Sequence, residues 1–182
     1  MASIKITARD VAVLPTALLP LAKEHMRIDS TIEDNFIKSV LARAIDWFER
    51  YTNVTLAPST YEWTPDWDDF TANSVARFTE TPVDEVTAVI GSDDVTASYS
   101  VSTMSTHGVG IYALNGAWAS GLVVTFKSGY PDIAAMPGGV LDAVLRYSAH
   151  LYEHREILVP TVQASSPGWL TDVISTYWLP RA

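Results

Sequence analysis

The sequence predicts an α+β fold, in which helical segments from the two ends of the chain form an antiparallel bundle and a small antiparallel β domain is inserted between them. Three observations carry this prediction. Apolar residues recur at three- and four-residue spacing between Ser30 and Asn53. Beyond Asn53 the segments become short, rich in Val, Thr and aromatics, and punctuated by Pro, Gly, Asn and Asp. Helical spacing then returns from about residue 131. The expected organisation is a helical part over residues 1–56, a β domain over 57–130, and a second helical part over 131–182 that ends in an apolar tail.

The elements follow in order. "PLAKEHMR" reads as a short helix opened by Pro20 at its first position, where a missing backbone N–H costs nothing. "DSTIEDNFIKSVLARAIDWFERYTN" carries the strongest helical signal, with Ile32, Phe36, Val40, Leu41, Ala44, Phe48 and Tyr51 as the expected inward stripe. Ser30 or Thr31 suits its N-cap, and Glu33 and Asp34 suit the positive end of its dipole. "TYEWTPDWDDF", "SVARF", "VDEVTAVI", "VTASYSVS", "GIYAL" and "GLVVTFKSGY" read as strands. Val95, Ala97, Tyr99 and Val101 alternate with period two, so one side of that segment should face a core. After Pro137, Val140, Leu141, Val144, Leu145, Ser148, Leu151 and Tyr152 trace a helix face. The breaker-rich "VPTVQASSPG" separates it from "WLTDVISTYWLP", a short helix apolar on most of its surface.

Composition bounds the function. With 182 residues, 48% of them hydrophobic, the chain can bury a core without staples. It has no cysteine, which removes disulfides, thiolate metal sites and cysteine nucleophiles together. No segment approaches the roughly 20 apolar residues of a membrane span, and the N-terminus lacks the pattern of a signal peptide, so a protein outside the membrane is expected. The net charge is −9, and its distribution says more. Residues 1–56 hold seven basic and seven acidic side chains, residues 57–100 hold one and nine, and residues 101–182 hold four and five. Such a chain has no basic face with which to grip nucleic acid, although an acidic wall is suited to a surface that DNA slides past. Asp66, Asp68, Asp69, Asp93 and Asp94 are the candidates for such a wall or rim. Solvated turn carboxylates are the plainer reading of the same residues.

Candidate chemistry is sparse. His150, Glu153 and His154 have the H-x-x-E-H spacing of a class of zinc peptidases, so a metal-dependent hydrolase is one alternative. A third ligand is hard to find, because the acids that follow are Glu156, too near on the same helix, and Asp172. His25 and His107 come from a short helix and an expected loop. No G-x-S-x-G elbow and no phosphate-cradling G-K-[ST] loop occurs. Tyr61, Trp63, Trp67 and Phe70 read either as strand core or as a stacking platform, and the platform would make the chain a carbohydrate- or host-binding tail module. No cofactor and no metal is expected.

The succession "LPLAKEHMRIDSTIEDNFIKSVLARAIDWFERYT", a β insertion with "TPVDEVTAVI", then "VTFKSGYPD", "MPGGVLDAVLRYSAHLYEHRE" and "WLTDVISTYWLPR" resembles the head-tail connector, or adaptor, proteins of long-tailed double-stranded DNA phages and of phage-like gene transfer agents. The specific parts are E-R-Y-T closing the first long helix, the strand ending in S-G-Y, and H-L-Y-E-H-R-E in the second long helix. His154 stands where the family pattern often has Asn, a poor zinc ligand. The resemblance therefore implies a structural helix motif of His150, Tyr152, Glu153, Arg155 and Glu156 and no catalytic residue.

It also implies a virion protein at the head-tail interface, assembled in the host cytoplasm. Such a protein forms a ring, usually of twelve subunits, beneath the portal, extends the DNA channel and receives the next connector, stopper or tail component. DNA passes through without specific binding, and no membrane is involved. Trp169, Leu170, Val173, Tyr177, Trp178, Leu179 and Arg181 are then the expected portal- or partner-binding residues, aromatics being good interface anchors.

Overall fold

A computed structural model describes residues 3–64, 75–78, 82–90, 93–95, 99–105, 108–113, 121–154 and 168–178. They fall into two compact units: one built from the described residues of Met1–Asp10 and Val54–Gly129, the other from Val11–Asn53 and Tyr130–Trp178. The class is α+β, as the sequence predicts.

The helical unit holds α1 (Val13–Met26), α2 (Asp34–Thr52), α3 (Gly138–Glu153) and α4 (Gly168–Tyr177). Helices α1, α2 and α3 pack on one another, and α4 packs on α2 and α3. Here α1 starts seven residues before the expected helix and contains Pro20 in its interior. The helix tolerates that proline because Leu14, Leu18 and Ala22 form an i, i+4, i+8 stripe that is fully buried. Its end is set by Arg27 in the left-handed region (φ 57°), with Ile28 N–H donating to Lys23 O at 2.9 Å.

Helix α2 buries Ile37, Val40, Leu41, Ala44, Ile45, Phe48 and Thr52. The expected stripe is correct through its centre and out of phase at both ends, since Ile32 is 91% exposed and Tyr51 53% exposed. Ile32 lies before the helix begins. Neither Ser30 nor Thr31 is the N-cap; Glu33 occupies that position, with Asp34 in the first turn, and Ser30 Oγ instead accepts a hydrogen bond from Ile32 N–H. At the other end Asn53 takes φ 60°, which Asn tolerates better than most residues, and its N–H donates to Glu49 O. Thr52 is fully buried, and its hydroxyl is satisfied by donating to Phe48 O at 2.7 Å. These contacts account for the E-R-Y-T-N sequence. Of the face read from the sequence, α3 buries Val140, Val144 and Ser148 and half-buries Leu141, Leu145, Leu151 and Tyr152; Ala143, outside the expected face, is buried as well.

Among the described residues the β unit holds two antiparallel sheets. The first has the order β1 (Ser3–Arg9), β2 (Ser59–Thr64), β8 (Leu122–Ser128), β4 (Val83–Ile90) and β5 (Asp93–Asp94). The second has the order β3 (Val75–Phe78), β7 (Gly108–Ala113), β6 (Tyr99–Ser105). Strand β1 corrects the expectation of an all-helical N-terminal part: residues 3–9 belong to the sheet, paired with β2. "SIKITAR" alternates as a strand should, and seven residues of it are too few to announce a long-range partner 53 positions away.

Alternation places Tyr61 and Trp63 of β2 and Leu122, Val124 and Phe126 of β8 on one buried face. Tyr61 and Phe126 stand opposite each other in register and stack at 5.3 Å. Val95, from the period-two segment, packs against this cluster; Ala97 lies outside the described residues. The S-G-Y sequence also finds its reason here. Gly129 takes φ 102°, its N–H donates to Pro82 O, and a Cβ at this position would stand 2.5 Å from Ala57 O.

Candidate partner-binding surface

Helix α4 is held by its last residue. The Tyr177 ring lies 6.2 Å from that of Phe48 on α2, and its hydroxyl sits where a Cβ on Gly139 would be, 2.8 Å away. The second glycine of "MPGGV" thus leaves the room in which α4 docks on α3. Burial, together with the neighbouring Tyr177, raises the pKa of the Tyr130 phenol above its usual value. Of the expected partner-binding residues, Tyr177 is therefore half-buried within its own unit, while the adjacent Trp178 is 54% exposed. Trp169, Leu170 and Val173 stand on α4 with their side chains outside the described set; Leu179 and Arg181 lie outside the described residues.

The end of α3 is fastened to the start of α2. The Tyr152 hydroxyl donates to the Glu33 carboxylate, and the Tyr152 ring packs 5.8 Å from Phe36. The two histidines of "HLYEH" do something else. His154 ends the helix with non-helical dihedrals (φ −104°, ψ 67°), and its Nδ1 lies 3.0 Å from His150 O. A carbonyl only accepts, so Nδ1 carries the proton there. The two imidazoles face each other at 4.3 Å. Glu153 is exposed, Arg155 and Glu156 lie outside the described residues, and no group of three potential metal ligands occurs among the described residues.

Sequence reasoning missed a larger feature. Tyr51, Trp47, Tyr147, His150 and His154 form a continuous chain of rings across α2 and α3, with successive centroid separations of 4.6, 4.5, 6.4 and 4.3 Å. Burial and the nearby Tyr51 raise the Tyr147 pKa, with Arg43 opposing them. The signal is present as two separate patterns, Trp47 with Tyr51 at i, i+4 and Tyr147 with His150 and His154 at i+3 and i+7. Nothing in the linear order says that the two patterns meet.

The other candidates fare differently. Trp63 and Tyr61 are 3% and 7% exposed, so they are core, and no stacking platform can use them; Trp67 and Phe70 lie outside the described residues. Asp93 is exposed on β5, beside Asp94, whereas Asp66, Asp68 and Asp69 lie outside the described residues.

The sequence model of the family described as phage gp6-like head-tail connector protein matches residues 16–106, half of the chain. No curated protein matches. Among solved structures, the fold is similar to a chain in the neck of an empty gene transfer agent (GTA) particle computed with C6 symmetry, at TM-score 0.75 and 19% identity, over 99% of this chain and 97% of that one. A chain in the virion of a native GTA particle matches at TM-score 0.74 and 21% identity, over 98% and 96%. One in the neck of a native GTA particle computed with C12 symmetry matches at TM-score 0.70 and 18% identity, over 99% and 97%.

Proposed function

Because the chain belongs to the phage gp6-like head-tail connector family, and is a structural head-tail connector rather than an enzyme, we propose that it acts as a ring of identical subunits, twelve in number, seated beneath the portal. The ring extends the DNA channel and receives the next connector, stopper or tail component. The observation that carries the reading is the end-to-end likeness to chains of GTA necks, one of them computed with C12 symmetry, which covers both units and nearly the whole of each chain. In this arrangement the N- and C-terminal helices form an antiparallel bundle with the β domain inserted between them. The acid-rich stretch 57–100, nine acids to one base, rims the channel and keeps DNA from adhering.

The portal contact falls to the segment from Trp169 to Arg181. Trp178 is its best anchor, being a large aromatic that the helical unit leaves more than half exposed. The test is binding of the full chain to tailless, portal-bearing heads. Trp178→Ala should fold as the parent does, because the side chain is exposed, and should lose most of its binding. Undiminished binding by that variant and by a chain ending at Tyr177 would overturn the portal assignment.

A further inference from the structure

The five-stranded sheet ends differently on its two sides. Strand β1 closes one end, and no strand lies beyond it among the described residues. Ile4 and Ile6 stand opposite Trp63 and Tyr61, so they extend the core-bearing face, yet they are 42% and 48% exposed. The register with β2 is regular over Ser3–Ile6 and shifts only between Ile6 and Ala8. This is an apolar, unbulged stretch at a sheet edge, the kind of edge that pairs with another chain unless something prevents it. At the far end, β5 covers β4 only at Val89 and Ile90; the outer side of Val86–Ala88 is regular and has no strand beside it among the described residues, while the register shifts between Asp84 and Val86, where Glu85 takes φ 44°.

The charges of the two ends are opposite. Strand β1 carries Lys5 and Arg9 and no acid, whereas β4 and β5 carry Asp84, Asp93 and Asp94 and no base, with a further acid, Glu85, paired to Lys127 of β8. Lys5 and Asp93 are both exposed. A closed ring requires two different, complementary patches on each subunit, because every contact in it is head to tail. A sheet with a basic, apolar edge at one end and an acidic edge at the other supplies such a pair.

We propose that the β1 edge of one subunit seats against the β4–β5 edge of the next, so that the sheets run on around the ring. The occupant of the β1 edge is a second copy of this chain. The proposal rests on the ring reading above and adds its seam. Asp93 and Asp94 then belong to the contact between subunits rather than to the channel rim. Backbone pairing along the edges supplies the contact area, Ile4 and Ile6 gain cover, and Lys5 selects the acidic end over another β1.

The chain has no cysteine of its own, which makes the test direct. Particles are produced with Lys5→Cys and Asp93→Cys in the same full-length chain and treated with a short bis-maleimide. Within one subunit these positions sit four strand spacings apart, about 19 Å, beyond the reach of the reagent. The expected result is a ladder of covalent multimers from the double variant and none from either single variant. Necks that are intact by electron microscopy yet yield only monomer would overturn the seam and leave the ring reading standing. Dimers from the Lys5→Cys variant alone would overturn it too, by showing like edges in contact. Absence of the parent chain from necks that are otherwise intact would remove the ring reading and the seam with it.

A second pair of variants checks the seam without cross-linking. Lys5→Glu and Asp93→Lys should each incorporate several-fold less well than the parent. An equal mixture of the two should recover, because alternating subunits restore an opposite-charge contact at every seam. No recovery on mixing overturns the proposal.

Discussion

The Tyr152 hydroxyl donates a hydrogen bond to the Glu33 carboxylate across 119 residues of sequence. Glu33 is the N-cap residue of α2, and Tyr152 is in the last turn of α3, so this contact and the Tyr152–Phe36 ring pair fix where the two long helices meet. Tyr152→Phe keeps the ring and removes the donor. It should cost about 1.5–3 kcal/mol, the range for a hydrogen bond to a charged partner. Urea unfolding of Tyr152→Phe, Glu33→Ala and the double variant checks this: the two single losses should not add, because both remove the same bond.

The phase of α2 makes a second prediction. Ile37, absent from the expected stripe, is fully buried within α2, whereas Ile32, expected to be buried, precedes the helix and is almost fully exposed. Ile37→Ala should destabilise the protein by about 2–5 kcal/mol, the range for truncating a packed core side chain. Ile32→Ala should lie within about 0.5 kcal/mol of the parent. Thermal or urea midpoints of the two variants distinguish them directly.

Gly129→Ala should destabilise the β unit. The backbone conformation alone costs a non-glycine residue about 1–3 kcal/mol, and the added Cβ must also displace the Ala57 carbonyl from 2.5 Å. Gly121 also has a positive φ, 81°, but meets nothing within 4 Å, so Gly121→Ala should cost less. A lower melting temperature for Gly129→Ala than for Gly121→Ala, with helical content retained before the transition, is the expected reading.

Stability should fall at alkaline pH in part through Tyr147. Its pKa is raised in the folded protein, chiefly by burial, while in the unfolded chain it has its ordinary value of about 10. The folded state therefore holds this proton more tightly. Its contribution is fully present below about pH 10 and is lost as the pH rises through the folded value. Tyr147→Phe should make urea midpoints between about pH 9 and 11 fall less steeply than in the parent. An identical slope would show that Tyr147 ionisation is not coupled to folding.

Local periodicity is what the chain expresses on its own. It predicts the α+β class, the strand segments after Asn53, the stripe of α3 and the short apolar C-terminal helix, because each depends on neighbours within one or two turns. The order of segments also carries the resemblance to head-tail connectors, and the family match agrees with it.

What periodicity could not supply is the identity of distant partners. Pro20 is a reasonable helix start by local rules, and only the burial of Leu14, Leu18 and Ala22 against neighbouring helices carries α1 seven residues further back. "SIKITAR" becomes a strand because β2 is there to pair with it. "HLYEH" offers metal-ligand spacing, and the fold uses its residues as a ring pair, a helix end and a tether to Glu33. The ring chain from Tyr51 to His154 exists only because α2 and α3 pack side by side. Side-chain spacing along one element is a property of the sequence, whereas contact between elements is decided by which apolar faces find cover, and that is settled only when the whole chain folds.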